Sequence, residues 1–223
     1  MSIIKTIDNY LLEKQKEKEK RIRSGLFSPS LFGRCFRAQF WNRKNEPQTN
    51  PPDINALRRF ACGDLFHDFV QNMLPPHLNE VKVSVDPDIL GFADIVGDNF
   101  VADLKSVHSK KFWYMAKSGY NIDAEEIPKI LQVVYYASRL NKPIAKLVFV
   151  SKDDLCIEER DFVVEKWADR LEAEIQTLRN LWGADILPAA KPRTYNGKEG
   201  KYCPFLDKCM SLEFDCIAVG EKE

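Results

Sequence analysis

Hydrophobic and polar residues alternate in three consecutive stretches near the middle of the chain, a pattern typical of half-buried β-strands. The first stretch covers residues 81–85, and the stretches 90–96 and 100–107 follow it, joined by a Gly-Asp-Asn turn. Asp98 and Asn99 both tolerate a positive φ, so they suit the two central positions of a tight hairpin. The pattern therefore predicts a three-stranded meander.

Apolar residues spaced three or four apart predict helices on both sides of this meander. The predicted elements are, in chain order, helices over 3–23, from Ser28 and over 54–74, the three strands, a helix over 125–140, a strand over 145–151, an edge strand over 155–160 and a helix over 162–182. The helix over 54–74 has an apolar stripe of Ile54, Leu57, Ala61, Leu65, Phe69 and Met73. This order predicts a mixed α/β domain with helices packed on its sheet.

Composition excludes several classes of protein. The 223 residues are 44% hydrophobic and 30% charged, as in an ordinary globular chain. There are 33 basic and 33 acidic residues; this balance excludes nucleic-acid binding by bulk charge but allows a local basic groove. No apolar run reaches the roughly 18–20 residues of a membrane span, and the N-terminus lacks a signal-peptide pattern. We therefore expect a cytoplasmic protein with no membrane partner.

The predicted hairpin collects charged residues on one face of the sheet. With Asp98 and Asn99 in the turn, Asp94 lies opposite Asp103, and Lys105 follows on the same face. Opposed carboxylates on apolar strands cost free energy, and a divalent cation between them removes that cost. Such oxygen ligands suit Mg²⁺ or Mn²⁺. The alternative is a surface hairpin whose charged side chains are solvated.

Four short motifs occur in a fixed order around this hairpin. They are G-x-x-x-H at Gly63 and His67, G-x-x-D at Gly91 and Asp94, D-x-K at Asp103 and Lys105, and Q-x-x-x-Y at Gln132 and Tyr136. The ordered set resembles the RecB-like branch of the PD-(D/E)XK nuclease superfamily. With the stretches SPSLFGRCFR and YCPFLDKC, the chain is most similar to the fourth family of CRISPR-associated proteins, exonucleases with an iron–sulfur cluster, and to phage-encoded relatives.

The resemblance implies a restriction-endonuclease-like fold, in which helices flank a mixed central sheet. Residues 27–188 would form the nuclease core, including helical insertions. Residues 1–26 would form a charged N-terminal helix, and residues 189–223 a cysteine-containing tail. A metal cluster would join this tail to the region around Cys35.

The resemblance also implies a role for each motif residue. The implied ligands of Mg²⁺ or Mn²⁺ are His67, Asp94, Asp103 and the backbone carbonyl of Leu104. Lys105 would be the catalytic lysine. Gln132 and Tyr136 are four residues apart and share a helix face; they would line the site and contact the DNA backbone or help to place Lys105. Gly63 would let its helix approach the sheet closely. Taken singly, a helical His, Gln or Tyr usually serves packing and hydrogen bonding.

The six cysteines divide into two groups. The implied ligands of a [4Fe–4S] cluster are Cys35, Cys203, Cys209 and Cys216. The family pattern would place the fourth ligand at position 200, which is Gly200 here, so we expect Cys216 to replace it. Zinc on the same thiolates, or no metal at all, stays open. Cys62 and Cys156 are predicted to be buried structural thiols.

Basic and aromatic residues are predicted to bind the DNA backbone and to stack on unpaired bases. The candidates are Arg34, Arg37, Phe40, Trp41, Arg43, Lys44, Arg58, Arg59, Lys110, Lys111, Phe112, Trp113 and Tyr114. For any one of them, surface charge or core packing is the alternative.

The predicted function is a metal-dependent DNA exonuclease that acts on single strands or DNA ends. Its setting would be CRISPR adaptation, or recombination and DNA processing in a bacterium or phage, with proteins of those processes as partners. A virus-encoded enzyme would act in the host cytoplasm. The alternatives are a structure-specific endonuclease on the same fold and a non-catalytic DNA-binding subunit of a larger complex.

Overall fold

A five-stranded mixed sheet is the central feature of the computed structural model, which describes residues 2–20, 24–117, 119–190 and 202–212. The strands are β1 (Asn79–Val83), β2 (Gly91–Val96), β3 (Phe100–Val107), β4 (Ile144–Ser151) and β5 (Ile157–Val163). They lie side by side in sequence order, and every neighbouring pair is antiparallel except β3 and β4, which are parallel. The predicted mixed α/β class is confirmed.

Helices precede, interrupt and follow the sheet. They are α1 (Ile3–Lys20), α2 (Phe36–Arg43), α3 (Ile54–Gln71), α4 (Ser109–Met115), α5 (Ile122–Glu125), α6 (Ile127–Arg139), α7 (Val164–Gly183) and α8 (Leu206–Met210). The three helices α4 to α6 form the long connection that parallel strands require, here between β3 and β4. Within the described ranges, no helix combines the length and apolar character needed to cross a bilayer.

The helix predicted from Ser28 begins later than expected. Ser28 and the proline after it introduce only a short 3₁₀ turn, Pro29–Leu31. Gly33 follows with φ +72°, a conformation that ends the turn, and α2 starts at Phe36. The cap and the proline were therefore correct signals for a turn, but the glycine prevents this turn from continuing as a helix.

The apolar stripe predicted for α3 is not a buried face. Leu57 is buried, whereas Leu65 is 71% exposed, and Phe69 and Met73 are also exposed. A Cβ added to Gly63 would meet no atom within 4 Å. The predicted close approach of the helix at Gly63 is therefore wrong.

The chain divides into two compact units, which we name the cysteine unit and the sheet unit. The cysteine unit comprises Met1–Leu26, Arg34–Cys62 and Thr177–Glu223, and the sheet unit comprises Phe27–Gly33 and Gly63–Gln176. The helices α3 and α7 each contribute to both units. The functional division of the chain after residues 26 and 188 stays a prediction.

Each unit has its own core. In the cysteine unit, Phe40, Trp41 and Phe205 form a buried cluster, and the ring of Trp182 meets Phe40 edge-on at a centroid distance of 5.3 Å. In the sheet unit, α6 packs on the sheet, and seven of its thirteen residues are buried. The candidate site uses the buried Tyr136 and the partly exposed Gln132 of α6.

Candidate functional site

The β2–β3 hairpin has the predicted turn and register. Ile95 pairs with Ala102 and Val96 with Val101, and the backbone N–H of Gly97 donates to the carbonyl of Phe100 at 2.9 Å. These pairs leave two residues at the tip, as the Asp-Asn turn predicts.

Asp94 occupies the point where the β2–β3 ladder stops. The alternation of an antiparallel ladder would next join Leu104 to Ala93. Instead, the backbone N–H of Leu104 donates to Oδ2 of Asp94 at 2.8 Å. The Asp94 carboxylate thus accepts the hydrogen bond that the carbonyl of Ala93 would accept in a regular ladder. This hydrogen bond fixes the position of the Asp94 side chain. The predicted role of the Leu104 carbonyl as a metal ligand stays a prediction.

The Asp103 carboxylate is buried, and only one of its two oxygens lies near a cationic group. The residue is 1% exposed, and its Oδ2 lies 2.6 Å from Nζ of Lys105. Among the described residues, no hydrogen-bond partner exists for Oδ1. Burial raises the pKa of Asp103 to about 6; Lys105 opposes this shift, and the Asp94 carboxylate adds to it. Buried polar atoms are nearly always partnered, so Oδ1 lacks a partner that the described residues do not supply.

His67 lies beside Asp94. Its Nε2 is 3.2 Å from Asp94 Oδ2, and this hydrogen bond raises the pKa of His67, while partial burial lowers it. In the described part of the chain, no three His, Cys, Asp or Glu side chains lie close enough together to hold a metal ion. The predicted site residues form two pairs, His67 with Asp94 and Asp103 with Lys105.

Tyr136 on α6 lies near the same carboxylates, and Gln132 is its hydrogen-bond partner. A hydrogen bond joins their side chains; burial raises the pKa of the Tyr136 phenol, and Asp103 and Asp94 raise it further. A Cβ added to Gly91 would lie 2.6 Å from Oη of Tyr136. The glycine of the G-x-x-D motif thus leaves room for the tyrosine of the Q-x-x-x-Y motif.

Sequence reasoning missed a second charged cluster in the sheet unit. Glu126 is 4% exposed and accepts hydrogen bonds from Lys111 Nζ at 2.7 Å, from Tyr120 Oη at 2.7 Å and from Lys129 Nζ. Only Lys111 had been predicted as a site residue. The available signal was the spacing of Lys129, which stands three residues before Gln132 on α6 and hence on the same helix face.

Several predicted DNA contacts have structural roles within the cysteine unit. Arg37 is 3% exposed, and its Nε donates to the carbonyl of Pro188 at 2.6 Å. Arg43 lies over the ring of Trp182 at 4.0 Å. Phe40 and Trp41, both buried, belong to the core of the unit. These contacts explain why basic and aromatic residues are interleaved in α2.

Other members of the predicted set stay accessible in the sheet unit. On α4, Phe112 is buried, whereas Trp113 is 52% and Tyr114 61% exposed. Two aromatic side chains therefore face solvent beside the lysines of the same helix.

The predicted cluster cysteines belong to the cysteine unit. Cys35 is the N-cap residue of α2, and Cys203 and Cys209 pack against the core around Phe40. Nη1 of Arg37 donates to Sγ of Cys209 at 3.5 Å. The positions on which the missing ligand depends, Gly200 and Cys216, lie outside the described residues.

The two cysteines predicted to be buried thiols differ from that prediction. Cys62 is exposed, because it lies on the outward side of α3, and Cys156 is half-buried. Neither has the enclosed surroundings expected of a core thiol.

Comparison with known proteins shows a shared fold. No family model and no curated protein sequence match the chain. Among solved structures, the chain is similar to the crystal structure of SSO0001, with a TM-score of 0.55 and 19% sequence identity. The match covers 91% of this chain and 96% of that chain. At this identity the similarity shows the fold alone.

Proposed function

We propose that the protein is a metal-dependent DNA nuclease of the RecB-like type, which hydrolyses phosphodiester bonds at single strands or DNA ends. The observation that carries the proposal is the buried Asp103 carboxylate, with one oxygen unpartnered and Lys105 at 2.6 Å. A buried carboxylate without compensation costs free energy. A divalent cation compensates this cost, and the adjacent lysine suits an anionic substrate.

The types of donor near Asp103, carboxylate oxygens above all, are those that Mg²⁺ or Mn²⁺ takes, and the separate pairs would have to draw together around the ion. The residues that would hold the ion are Asp94 and Asp103, with His67 and the carbonyl of Leu104 as further ligands. His67 would bind the ion as the neutral imidazole. Its hydrogen bond with Asp94 favours the protonated ring, so the ring would release a proton when the ion binds. When bound, the ion supplies a polarised phosphoryl oxygen and a water of lowered pKa.

The residues of the chain supply the remaining parts of a hydrolytic site. The Lys105 ammonium can stabilise negative charge that develops on the phosphoryl oxygens as water attacks and the sugar oxygen leaves. Gln132 and Tyr136 form a hydrogen-bonded pair beside the carboxylates, where they can orient the strand and the Lys105 side chain. Each of these groups is in the sheet unit.

The exposed aromatic residues of α4 favour single-stranded DNA as the substrate. Trp113 and Tyr114 are exposed to solvent in the unit that carries the carboxylates. Unpaired bases stack on such rings, while paired bases do not expose their faces. This feature supports the exonuclease or end-processing form of the proposal.

The cysteine unit would hold a [4Fe–4S] cluster with a structural role. Arg37 donates to Cys209, and Cys203 and Cys209 pack on the core that α2 contributes. A cluster on Cys35, Cys203 and Cys209, with Cys216 as the fourth ligand, would join segments that are distant in sequence. The proposal includes the similarity to the fourth family of CRISPR-associated proteins. It also includes a setting in CRISPR adaptation or phage recombination.

A cleavage assay on DNA of different topology tests the proposed function. End-labelled single strands, end-labelled duplexes and covalently closed circles are incubated with Mn²⁺, Mg²⁺ or a chelator. We expect shortening of linear substrates with metal, no cleavage with chelator and intact circles. Cleaved circles would show an endonuclease instead. Binding without cleavage under every condition would favour a non-catalytic subunit.

A further inference from the structure

The cluster around Glu126 contains more cationic groups than its own carboxylate can neutralise. Lys111 and Lys129 both donate to Glu126, and the uncharged phenol of Tyr120 takes a further hydrogen bond on the same carboxylate. Burial lowers the pKa of Lys129 to about 7, so below that pH Glu126 and its two lysines together carry one positive charge. The nearby Glu125 carboxylate offsets part of this charge. Glu126 is buried, and the Lys129 side chain is 27% exposed. A partly desolvated cation held in this way is a suitable partner for an anion.

Three separate segments form the cluster. Lys111 comes from α4, Tyr120 from the connection after α4, and Glu126 and Lys129 from the start of α6. Glu126 stands at the N-cap position of α6, yet its side chain makes no cap hydrogen bond. Its carboxylate is instead used to hold the two lysines in place.

Lys129 lies on the face of α6 that approaches the proposed catalytic residues. Lys129, Gln132 and Tyr136 are spaced by three and four residues, so they share one face of the helix. Burial is the largest cause that lowers the pKa of Lys129, and the charges of Lys111 and Lys105 lower it further. The Asp103 carboxylate raises the pKa. The cluster is therefore an electrostatic neighbour of the Asp103–Lys105 pair.

The charge balance shows what the combined region can accept. Its four carboxylates, Asp94, Asp103, Glu125 and Glu126, exceed the three ammonium groups of Lys105, Lys111 and Lys129 by one charge. A divalent cation on the carboxylates turns this into one positive charge in excess. Nucleic-acid strands supply anionic phosphates at regular intervals, so a strand with one phosphate at the metal can place the next one at Lys129.

We propose that Lys129, positioned by Glu126 and Lys111, binds a phosphate of the DNA strand next to the phosphate that is cleaved. This subsite rests on the proposed nuclease function and adds a residue that contacts the substrate. Two sources supply the same chemistry, namely an internal phosphodiester of the strand and a terminal phosphate monoester.

Binding of short labelled single strands at pH 6.5, measured by fluorescence anisotropy with Ca²⁺ in place of Mn²⁺ and with strand length checked on a gel, tests the subsite. Lys129→Gln should weaken binding by ~10- to 100-fold, the range for a hydrogen bond to a charged group. The slope of log affinity against log salt should fall by about 0.7 for one lost phosphate contact. Lys129→Arg keeps the charge and should recover most of the affinity.

Lys146→Gln is the matched control. Lys146 pairs with Glu159 and Asp161, and its neighbour Leu147 is the register partner of Asp103. Because side chains alternate along a strand, Lys146 lies on the face of the sheet opposite Asp103. Its substitution removes one lysine charge and should leave binding unchanged. Equal weakening by Lys129→Gln and Lys146→Gln would overturn the subsite, as would wild-type affinity of Lys129→Gln.

Strands with a 5′-phosphate, a 3′-phosphate or no terminal phosphate distinguish the two sources. An effect of Lys129→Gln on all strands supports an internal phosphodiester, and an effect on one phosphorylated end supports a terminal phosphate. If Lys129→Gln does not fold, as judged by circular dichroism, Glu126→Gln/Lys129→Gln removes both buried charges and takes its place.

Cleavage by the wild-type protein keeps the two proposals separate. If wild type cleaves DNA with Mn²⁺ while Lys129→Gln binds like wild type, only the subsite is wrong. If wild type binds but never cleaves and Lys129→Gln binds weakly, the phosphate contact is correct and the nuclease function is wrong.

Discussion

Asp103 combines complete burial with a negative charge that its surroundings only partly compensate. Lys105 pairs with one carboxylate oxygen, and no partner for Oδ1 exists among the described residues. The hairpin register that places Asp94 and Asp103 together was predictable, because it depends on a local turn and on strand alternation. The burial of Asp103 was not, since it arises from the packing of distant segments.

Replacement of Asp103 should stabilise the metal-free protein. The pKa of Asp103 is raised to about 6 in the folded state, so the unfolding free energy of wild type falls as pH rises from about 4 to 6 and stays lower above pH 6. Two pKa units correspond to about 3 kcal/mol. We therefore expect Asp103→Asn to be more stable than wild type by about 1–3 kcal/mol at pH 8 in chelator, measured by urea denaturation.

The same variant should lose stabilisation by Mn²⁺. Ligands that bind only the folded state raise the free energy of unfolding with the logarithm of their concentration relative to Kd. Wild type should gain stability with Mn²⁺ at pH 8, and less at pH 5, where protonated Asp103 and His67 compete with the ion. Equal gains for wild type and Asp103→Asn would contradict the assignment of Asp103 as a ligand.

The contact between β2 and α6 depends on the absence of a side chain at Gly91. The ring of Tyr136 fills the space where a Cβ would stand, and this contact places the Q-x-x-x-Y motif beside the carboxylates. The sequence indicated both motifs. Their contact follows from helix-on-sheet packing, which local patterns do not specify.

Gly91→Ala should therefore destabilise the protein. The added Cβ would displace the buried Tyr136 ring, at a cost of about 1–3 kcal/mol typical of overpacking. Gly63→Ala is the control, because a Cβ there meets no atom within 4 Å and Ala is favoured over Gly in a helix by up to ~1 kcal/mol. Urea denaturation of both variants checks this; greater stability for Gly91→Ala than for Gly63→Ala would disprove the packing argument.

The helix α4 exposes Trp113 while burying Phe112. If Trp113 stacks on unpaired bases, Trp113→Ala should reduce affinity for a single strand by about 1–3 kcal/mol, and Trp113→Phe should retain most of it. Anisotropy in chelator measures both. Identical affinities for wild type and Trp113→Ala would remove α4 from the DNA-binding surface.

Predictions from the sequence were most successful for features that neighbouring residues determine. They were least successful for contacts between segments that are distant in the chain. The meander, the β4 strand and α6 follow from periodicity and turn residues, whereas the parallel pairing of β4 with β3 was not predicted. The apolar spacing of α3 wrongly predicted a buried face, because Leu65 and its neighbours on that face are exposed. The Glu126 cluster was missed because α4 and α6 bring its residues together only in the folded chain.

The cysteine unit has a small core around Phe40, Trp41 and Phe205. A metal cluster on the cysteines of this unit would add to its stability. Anaerobically purified protein should contain iron and sulfide in equal amounts, and Cys209→Ser should lose both and unfold at lower urea. Cys62→Ser, at an exposed thiol, should keep the iron. Colourless protein with stoichiometric zinc would contradict the iron–sulfur assignment.

Cleavage of an end-labelled single strand in Mn²⁺ by wild type, Lys105→Gln and Lys146→Gln tests the proposed nuclease most directly. Both substitutions remove one lysine that pairs with carboxylates, but only Lys105 adjoins Asp103. Wild type and Lys146→Gln should shorten the strand at similar rates, and Lys105→Gln should be slower by about 100-fold or more. Equal rates for all three proteins, or cleavage that persists in chelator, would contradict a metal-dependent site at Asp103 and Lys105.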